Sequence, residues 1–263
     1  MSRQGRGLPF NYSIQYEGLV WQPVVSGSTT TWVHDPNWGF SGLLNGTTFS
    51  GYLTHDTYLS ACPRPSNYSG PLPGSSHQTN FVYHDPYGAS HRFNYTLIGP
   101  CPLTNQSGSQ SGDGSSSDGS GYSLLGASQV VTKNGSIITP ASSATGQDST
   151  QIVDSNGNTI NSSGGNSFTD TLGQTALTIT GSSPRLFTYP VTLQSTSATT
   201  ASASISYKIY TVRTSFQCSG VVDSGSSSGS LVDRVTLADG TFYAFTYEPT
   251  PSATDGAVTA RLA

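Results

Sequence analysis

Apolar residues recur at alternate positions along this chain, in short runs broken by turn residues, and that pattern predicts strands throughout. The clearest run covers residues 231–262, LVDRVTLADGTFYAFTYEPTPSATDGAVTARL. Val235 and Leu237 alternate with polar residues before Asp239-Gly240, and Phe242, Tyr243, Phe245 and Tyr247 crowd the stretch after it. Asp-Gly between two such runs is the strongest short hairpin signal. A two-residue turn would set Leu237 opposite Phe242, Thr236 opposite Tyr243, Val235 opposite Ala244 and Arg234 opposite Phe245, with apolar surface on both faces. A two-stranded ribbon is marginal alone, so further strands or layers should stack on it. Its aromatic residues Phe242, Tyr243, Phe245 and Tyr247 then read as packing surface for neighbouring strands, and its edge as the place where the chain would self-associate.

The same grammar runs through the rest of the chain. Phe10, Tyr12, Ile14 and Tyr16 alternate with polar residues and predict a first strand from about Leu8, after a flexible stretch at 5–7. Strand-like runs lead into Asp35-Pro36-Asn37-Trp38-Gly39 and Asp85-Pro86-Tyr87-Gly88, which fit type I turns. Downstream, Asp154-Ser155-Asn156-Gly157 and Asp170-Thr171-Leu172-Gly173 repeat the unit, with a looser copy at Lys133-Asn134-Gly135. Residues 204–218 give the longest strand signal and should lie centrally in a sheet. Three Ser/Gly/Thr-rich tracts, 106–121, 195–204 and 223–230, lack apolar surface to offset ordering entropy and read as flexible loops. The first would divide an aromatic, Pro-rich β region (1–105) from a degenerate Asp-x-x-Gly repeat region (122–263).

Composition sharpens the class. Charged residues are 9% of the 263, against a usual value of about 25%. Good helix formers are scarce: the chain has two glutamates, Glu17 and Glu248, and two lysines, Lys133 and Lys208. An all-β protein is expected, its antiparallel hairpins stacked as a sandwich or as a shell-like or solenoid-like sheet, with Ser/Gly-rich loops and essentially no helix. The net charge of −4 and scattered basic residues argue against a nucleic-acid partner. No apolar run is long enough for membrane insertion and no signal-peptide core follows the first residues, so the chain either stays inside the cell or has lost its signal.

Cys62 and Cys101 each precede a proline in Gly/Pro-rich loops and could close a disulfide, although pairing of Cys62 with Cys218, or three free thiols, stays open. Sequons occur at Asn11, Asn45, Asn67, Asn94, Asn105, Asn134 and Asn161, as a chain rich in Asn, Ser and Thr produces readily.

Candidate chemistry is sparse. Residues 225–229 fit G-x-S-x-G, but no helix follows, so Ser227 lacks the strand-to-helix turn that exposes a nucleophile. His-Asp dipeptides at 34–35, 55–56 and 84–85, with His77 and His91, do not match the short spacings of zinc sites. Asp113 and Asp118 miss the ordered spacing of an EF-hand. Neither a metal nor a cofactor is expected, and no catalytic residue. Trp21, Trp32 and Trp38 could form a sugar-stacking platform, although such residues more often pack a core.

The segments VTLADGTFYAFTYEPTP and AVTARLA near the end resemble the junction at which bacterial RHS/YD-repeat proteins enter their repeat array. GRGLPFNYSIQY, YHDPYGASHRF, SNGNTI, FTDTLGQTALTIT and YTVRTSFQCSG are similar to the N-terminal regions of the same proteins. The family repeat carries Tyr-Asp-x-x-Gly-Arg, and that dipeptide is missing at Tyr83-His84-Asp85 and Thr169-Asp170, which implies pre-repeat or degenerate sequence. The resemblance implies a secreted or cell-surface structural segment without catalytic residues, whose partners are other parts of a longer chain or copies of itself. The alternatives are a carbohydrate-binding or adhesive β-sandwich module that meets surface glycans, and a self-assembling filament subunit.

Overall fold

Valine, isoleucine, threonine and tyrosine alternating with small polar residues form strands of up to thirteen residues in the computed structural model. The structure describes residues 2–3, 8, 10–12, 16, 18–34, 39, 47–143, 148–191 and 200–263. The turn expected at 35–38, the flexible stretch at 5–7, Trp38, Asn45 and residues 195–199 of the 195–204 tract lie outside these residues. Among the described residues helix is limited to Thr47–Ser50 and a 3₁₀ turn at Pro102–Thr104. The sheets are large, mostly antiparallel and not closed into a barrel, which is the all-β class the sequence predicts. Among the described residues parallel pairing occurs at Val221–Val222 beside Thr29–His34, at Val212 with Val258, and at the isolated bridge of Tyr52 with Ala141.

The chain forms two compact units: 1–12, 45–165 and 170–172 make the first, 13–44, 166–169 and 173–263 the second. In the first, Tyr52–Ala61, Gly74–His84, Ser90–Arg92, Thr96–Ile98 and Ser109–Ser111 form one sheet. A meander follows, of Ser123–Leu125, Gln129–Val131, Ile137–Thr139, Thr150–Val153 and Thr159–Ser163. Its register aligns one aliphatic residue per strand: Leu124 faces Val130, Val130 faces Ile138, Ile138 faces Ile152 and Ile152 faces Ile160. On the opposite face Gln129 donates to Thr139 and Gln151 to Asn161, so the polar row is hydrogen-bonded strand to strand. Leu124, Val130 and Ile138 pack with Leu53, Phe81, Tyr83, Phe93 and Tyr95 in one core shared by both sheets. Burying each such aliphatic side chain is worth roughly 1.5–3 kcal/mol, which makes the stripe the meander's main stabilising term.

Cys62 and Cys101 lie at disulfide distance in this unit, with S–S 2.12 Å and Cα–Cα 5.6 Å, while Cys218 is exposed and free. A bridge across 39 positions constrains the unfolded chain, a stabilisation of about 2–4 kcal/mol.

Residues 106–121 correct an expectation: the tract is folded, not a flexible linker between regions. Ser109–Ser111 pairs with Thr96–Ile98, and further bridges join Cys101 to Gln106, Phe93 to Ser116 and Ser115 to Ser123. Two things replace the missing apolar surface. The carboxylates of Asp113 and Asp118 accept from the backbone N–H and hydroxyl of Ser115 and Ser120, and glycine lets backbones touch. A Cβ on Gly112, at φ +88°, would fall 2.2 Å from the Asn94 carbonyl oxygen. Parts of the 195–204 and 223–230 tracts are likewise strand and not flexible loop, because Thr200–Val212 pairs with Arg185–Pro190 and with Ser227–Thr236.

The recurring Asp-x-x-Gly motif has one construction. At Asp85, Thr132 and Asp154 the N–H of the first residue donates to the carbonyl of the fifth, the fourth is glycine at φ between 81° and 90°, and its N–H returns to the first carbonyl. This is a type I turn followed by a left-handed residue, the three-residue hairpin with a G1 bulge. The first side chain caps it: Asp85 accepts from Tyr87 and Ala89, Asp154 from Asn156 and Asn158, Asp170 from Leu172, and Thr132 from Ser136.

In the second unit Thr200–Val212 runs between Arg185–Pro190 and Ser227–Thr236, the central position predicted for the strand read at 204–218, which here starts earlier and ends at Val212. The terminal hairpin departs from its expected register. Ala238-Asp239-Gly240 is a three-residue loop of the same G1 type, because Leu237 pairs with Thr241 and Gly240 has φ +85°. Thr236 therefore faces Phe242, Val235 faces Tyr243 and Arg234 faces Ala244. A two-residue turn would need a left-handed Asp239 as well, and the Asp pays no such cost here. The four aromatic residues divide accordingly. Tyr247 is buried with its hydroxyl donating to the Val232 carbonyl at 2.7 Å, and Phe245 packs against the same core of Val20, Trp21, Val212, Leu231, Val258 and Ala260. Phe242 and Tyr243 stay 54% and 62% exposed on Phe242–Ala244, which among the described residues is paired on one side only, so they are not the packing surface the sequence suggested.

Candidate ligand-binding cleft

Two of the three tryptophans expected to stack on sugars meet in the second unit. Trp21 and Trp32 stand on the hairpin Trp21–Ser26 and Thr29–His34, with Gly27 at φ +62° in its turn. Trp21 is a wall: its ring is buried, stacks on His34 at 4.0 Å and donates its Nε1–H to the Thr259 carbonyl at 2.8 Å. Trp32 is half-buried and leans on Phe216 at 4.7 Å, with the rings tilted by 36°. Phe216 follows the longest strand and is fixed by Asp223, whose carboxylate accepts from the Phe216 N–H and the Thr214 hydroxyl, both at 2.8 Å. Those bonds, the Phe216 N–H foremost, hold the Asp223 carboxyl below its ordinary value.

Together these residues bound an open cleft of about 330 Å³. Leu19 and Pro251 add apolar surface to its lining, and Glu248 and Arg261 supply its charged groups. Arg261 Nη1 lies 3.8 Å from Glu248 Oε2, which also accepts from the Thr259 hydroxyl at 3.0 Å. The size falls at the lower end of small-ligand sites, which are mostly apolar with a few placed polar groups. Phe216, Glu248 and Arg261 escape sequence reasoning because they lie far apart along the chain and only pairing brings them together.

The remaining candidates take structural roles. Every histidine lies against an aromatic ring: His34 on Trp21, His55 on Phe81, His77 on Tyr58, His84 on Tyr52 and His91 on Tyr122. Buried His91 also bridges Asp118, at 2.5 Å, and Asp85, at 3.4 Å. Hydrogen bonds from the Ser120 hydroxyl and N–H, then from His91, hold the Asp118 carboxyl well below the usual carboxylate range. Burial lowers His34 and His84, the latter with help from His91. Among the described residues no group of three His, Cys, Asp or Glu is placed to hold a metal ion. Ser227 lies within a strand and its hydroxyl donates to the Val212 carbonyl at 3.3 Å, not at the strand-to-helix turn a nucleophile needs.

Of the sequons, Asn67, Asn94, Asn105 and Asn134 are exposed, whereas Asn161 is half-buried in the meander's polar row. Among the described residues no helix is long and apolar enough to cross a membrane. Compared with models of protein families, with curated proteins and with solved structures, the chain matches none.

Proposed function

We propose that this chain is a non-enzymatic structural segment of a secreted or cell-surface protein of the RHS/YD-repeat type, serving as scaffold, shell entrance or surface contact. The observation that carries the reading is the repeated hairpin: the same capped G1 turn at Asp85, Thr132 and Asp154, with the meander's aligned aliphatic stripe behind it. A strand, a turn and one aliphatic residue per rung make a unit that can be added in tandem, which is how a repeat array extends. The Cys62–Cys101 pair is compatible with an oxidising compartment outside the cell.

The test has two arms. Serum raised against the chain should label intact cells of its source, and a panel of ester, peptide and glycoside substrates should show no turnover by the purified chain. Labelling only after lysis, or turnover abolished by Ser227→Ala, would overturn the reading.

A further inference from the structure

We propose that the cleft of Trp32, Phe216, Glu248 and Arg261 binds a neutral saccharide. The inference stands on the cleft alone and holds whether or not the chain belongs to a repeat array.

Three observations select the ligand. The two tilted rings of Trp32 and Phe216 form an aromatic floor, with Phe216 42% exposed, suited to the C–H face of a pyranose. The opposite charges in the lining, Glu248 and Arg261 at 3.8 Å, cancel each other. An anionic ligand would meet the carboxylate and a cationic one the guanidinium, so the pair favours an uncharged partner rich in hydroxyls. A wholly apolar ligand would strip water from both ions and return no hydrogen bond, which is costly. A sugar ring meets both demands: its apolar face lies on Trp32 and Phe216, Glu248 accepts from ring hydroxyls, and Arg261 donates to their oxygens. The buried indole of Trp21, held by Thr259, fixes the back wall and needs no movement on binding.

The full chain would be screened on an array of neutral, sialylated and sulfated glycans. Tryptophan fluorescence would then be titrated with cellohexaose, maltohexaose and mannohexaose, and with decaproline as a peptide control. The expected result is saturable binding of a neutral oligosaccharide. Trp32→Ala and Glu248→Gln should each weaken it by about tenfold or more, the scale of losing an aromatic stacking contact or a charge-assisted hydrogen bond. Arg261→Gln should weaken it likewise, and Tyr243→Ser, outside the cleft, should leave it unchanged. Because Glu248 and Arg261 are surface side chains, their variants keep the test valid even where Trp32→Ala fails to fold. No array signal and no fluorescence change at millimolar sugar would overturn the proposal, as would binding insensitive to all three cleft variants. Preference for charged glycans, or for decaproline, would overturn the neutral saccharide as its ligand.

Discussion

The meander of the first unit and the terminal hairpin of the second use the same turn to opposite ends. In the meander, the G1 turns at Thr132 and Asp154 set Val130 opposite Ile138 and Ile152 opposite Ile160, these fall in one row with Leu124, and the polar row behind them is tied side chain to side chain. In the hairpin at Asp239 the same loop leaves Phe242 and Tyr243 largely in solvent, with the Arg234 guanidinium 4.2 Å over the Phe242 ring. The turn does not decide which outcome follows; the flanking residues do. One aliphatic residue per strand closes a core, whereas aromatic residues on an edge strand leave a surface for something else to cover.

That contrast can be broken at its strongest point. Ile160→Ala removes a buried rung and should cost about 2–5 kcal/mol in denaturant unfolding, while Ile209→Ala, at a site 72% exposed, should stay within about 0.5 kcal/mol. Equal effects would mean that the stripe is not what holds the meander.

Acid probes the turns and the stacked histidines next. His34 and His84 titrate below the usual histidine value when folded, so the unfolded chain takes up protons first. Stability should begin to fall as pH drops below about 6.5. Asp113, Asp118, Asp154 and Asp239 are held low by their hydrogen bonds, so their contribution is present above about pH 4 and is lost as pH falls through their folded values. Thermal melts should therefore show two declines, the upper reduced in His84→Asn and the lower in Asp154→Asn. A flat curve down to pH 3 would contradict both.

The smallest effect on stability belongs to the edge. Tyr243→Ser should change unfolding by less than about 0.5 kcal/mol, yet abolish any concentration-dependent association seen by sedimentation. Association that persists in the variant would place the contact elsewhere.

Much of the fold was legible because its signals are local. Asp85-Pro86-Tyr87-Gly88 and Asp154-Ser155-Asn156-Gly157 announce their turns, and residues 204–218 announce a central strand, although it runs from Thr200 to Val212 and so begins inside a tract that reads as flexible. The Cys62–Cys101 pairing was one of several options, and proximity selects it. Register at Asp239 was missed because Asp-Gly serves two hairpin types, separated by whether one residue or two turn left-handed. The cleft was half legible: Trp21 and Trp32 stand out, but the partners that give it chemistry come from residues 216, 248 and 261, and only long-range strand pairing assembles them.

The close fit at Gly112 bears on how this protein would tolerate change. A tract reading QSGSQSGDGSSSDGSG invites use as a tether, the natural place to splice in a tag, a cleavage sequence or a fluorescent reporter. Its backbone instead lies against Asn94 with no room for a methyl group, so even a single alanine there would force two segments apart. The plainest sequence in the chain is a mortise joint, and its monotony is the tolerance to which that joint is cut.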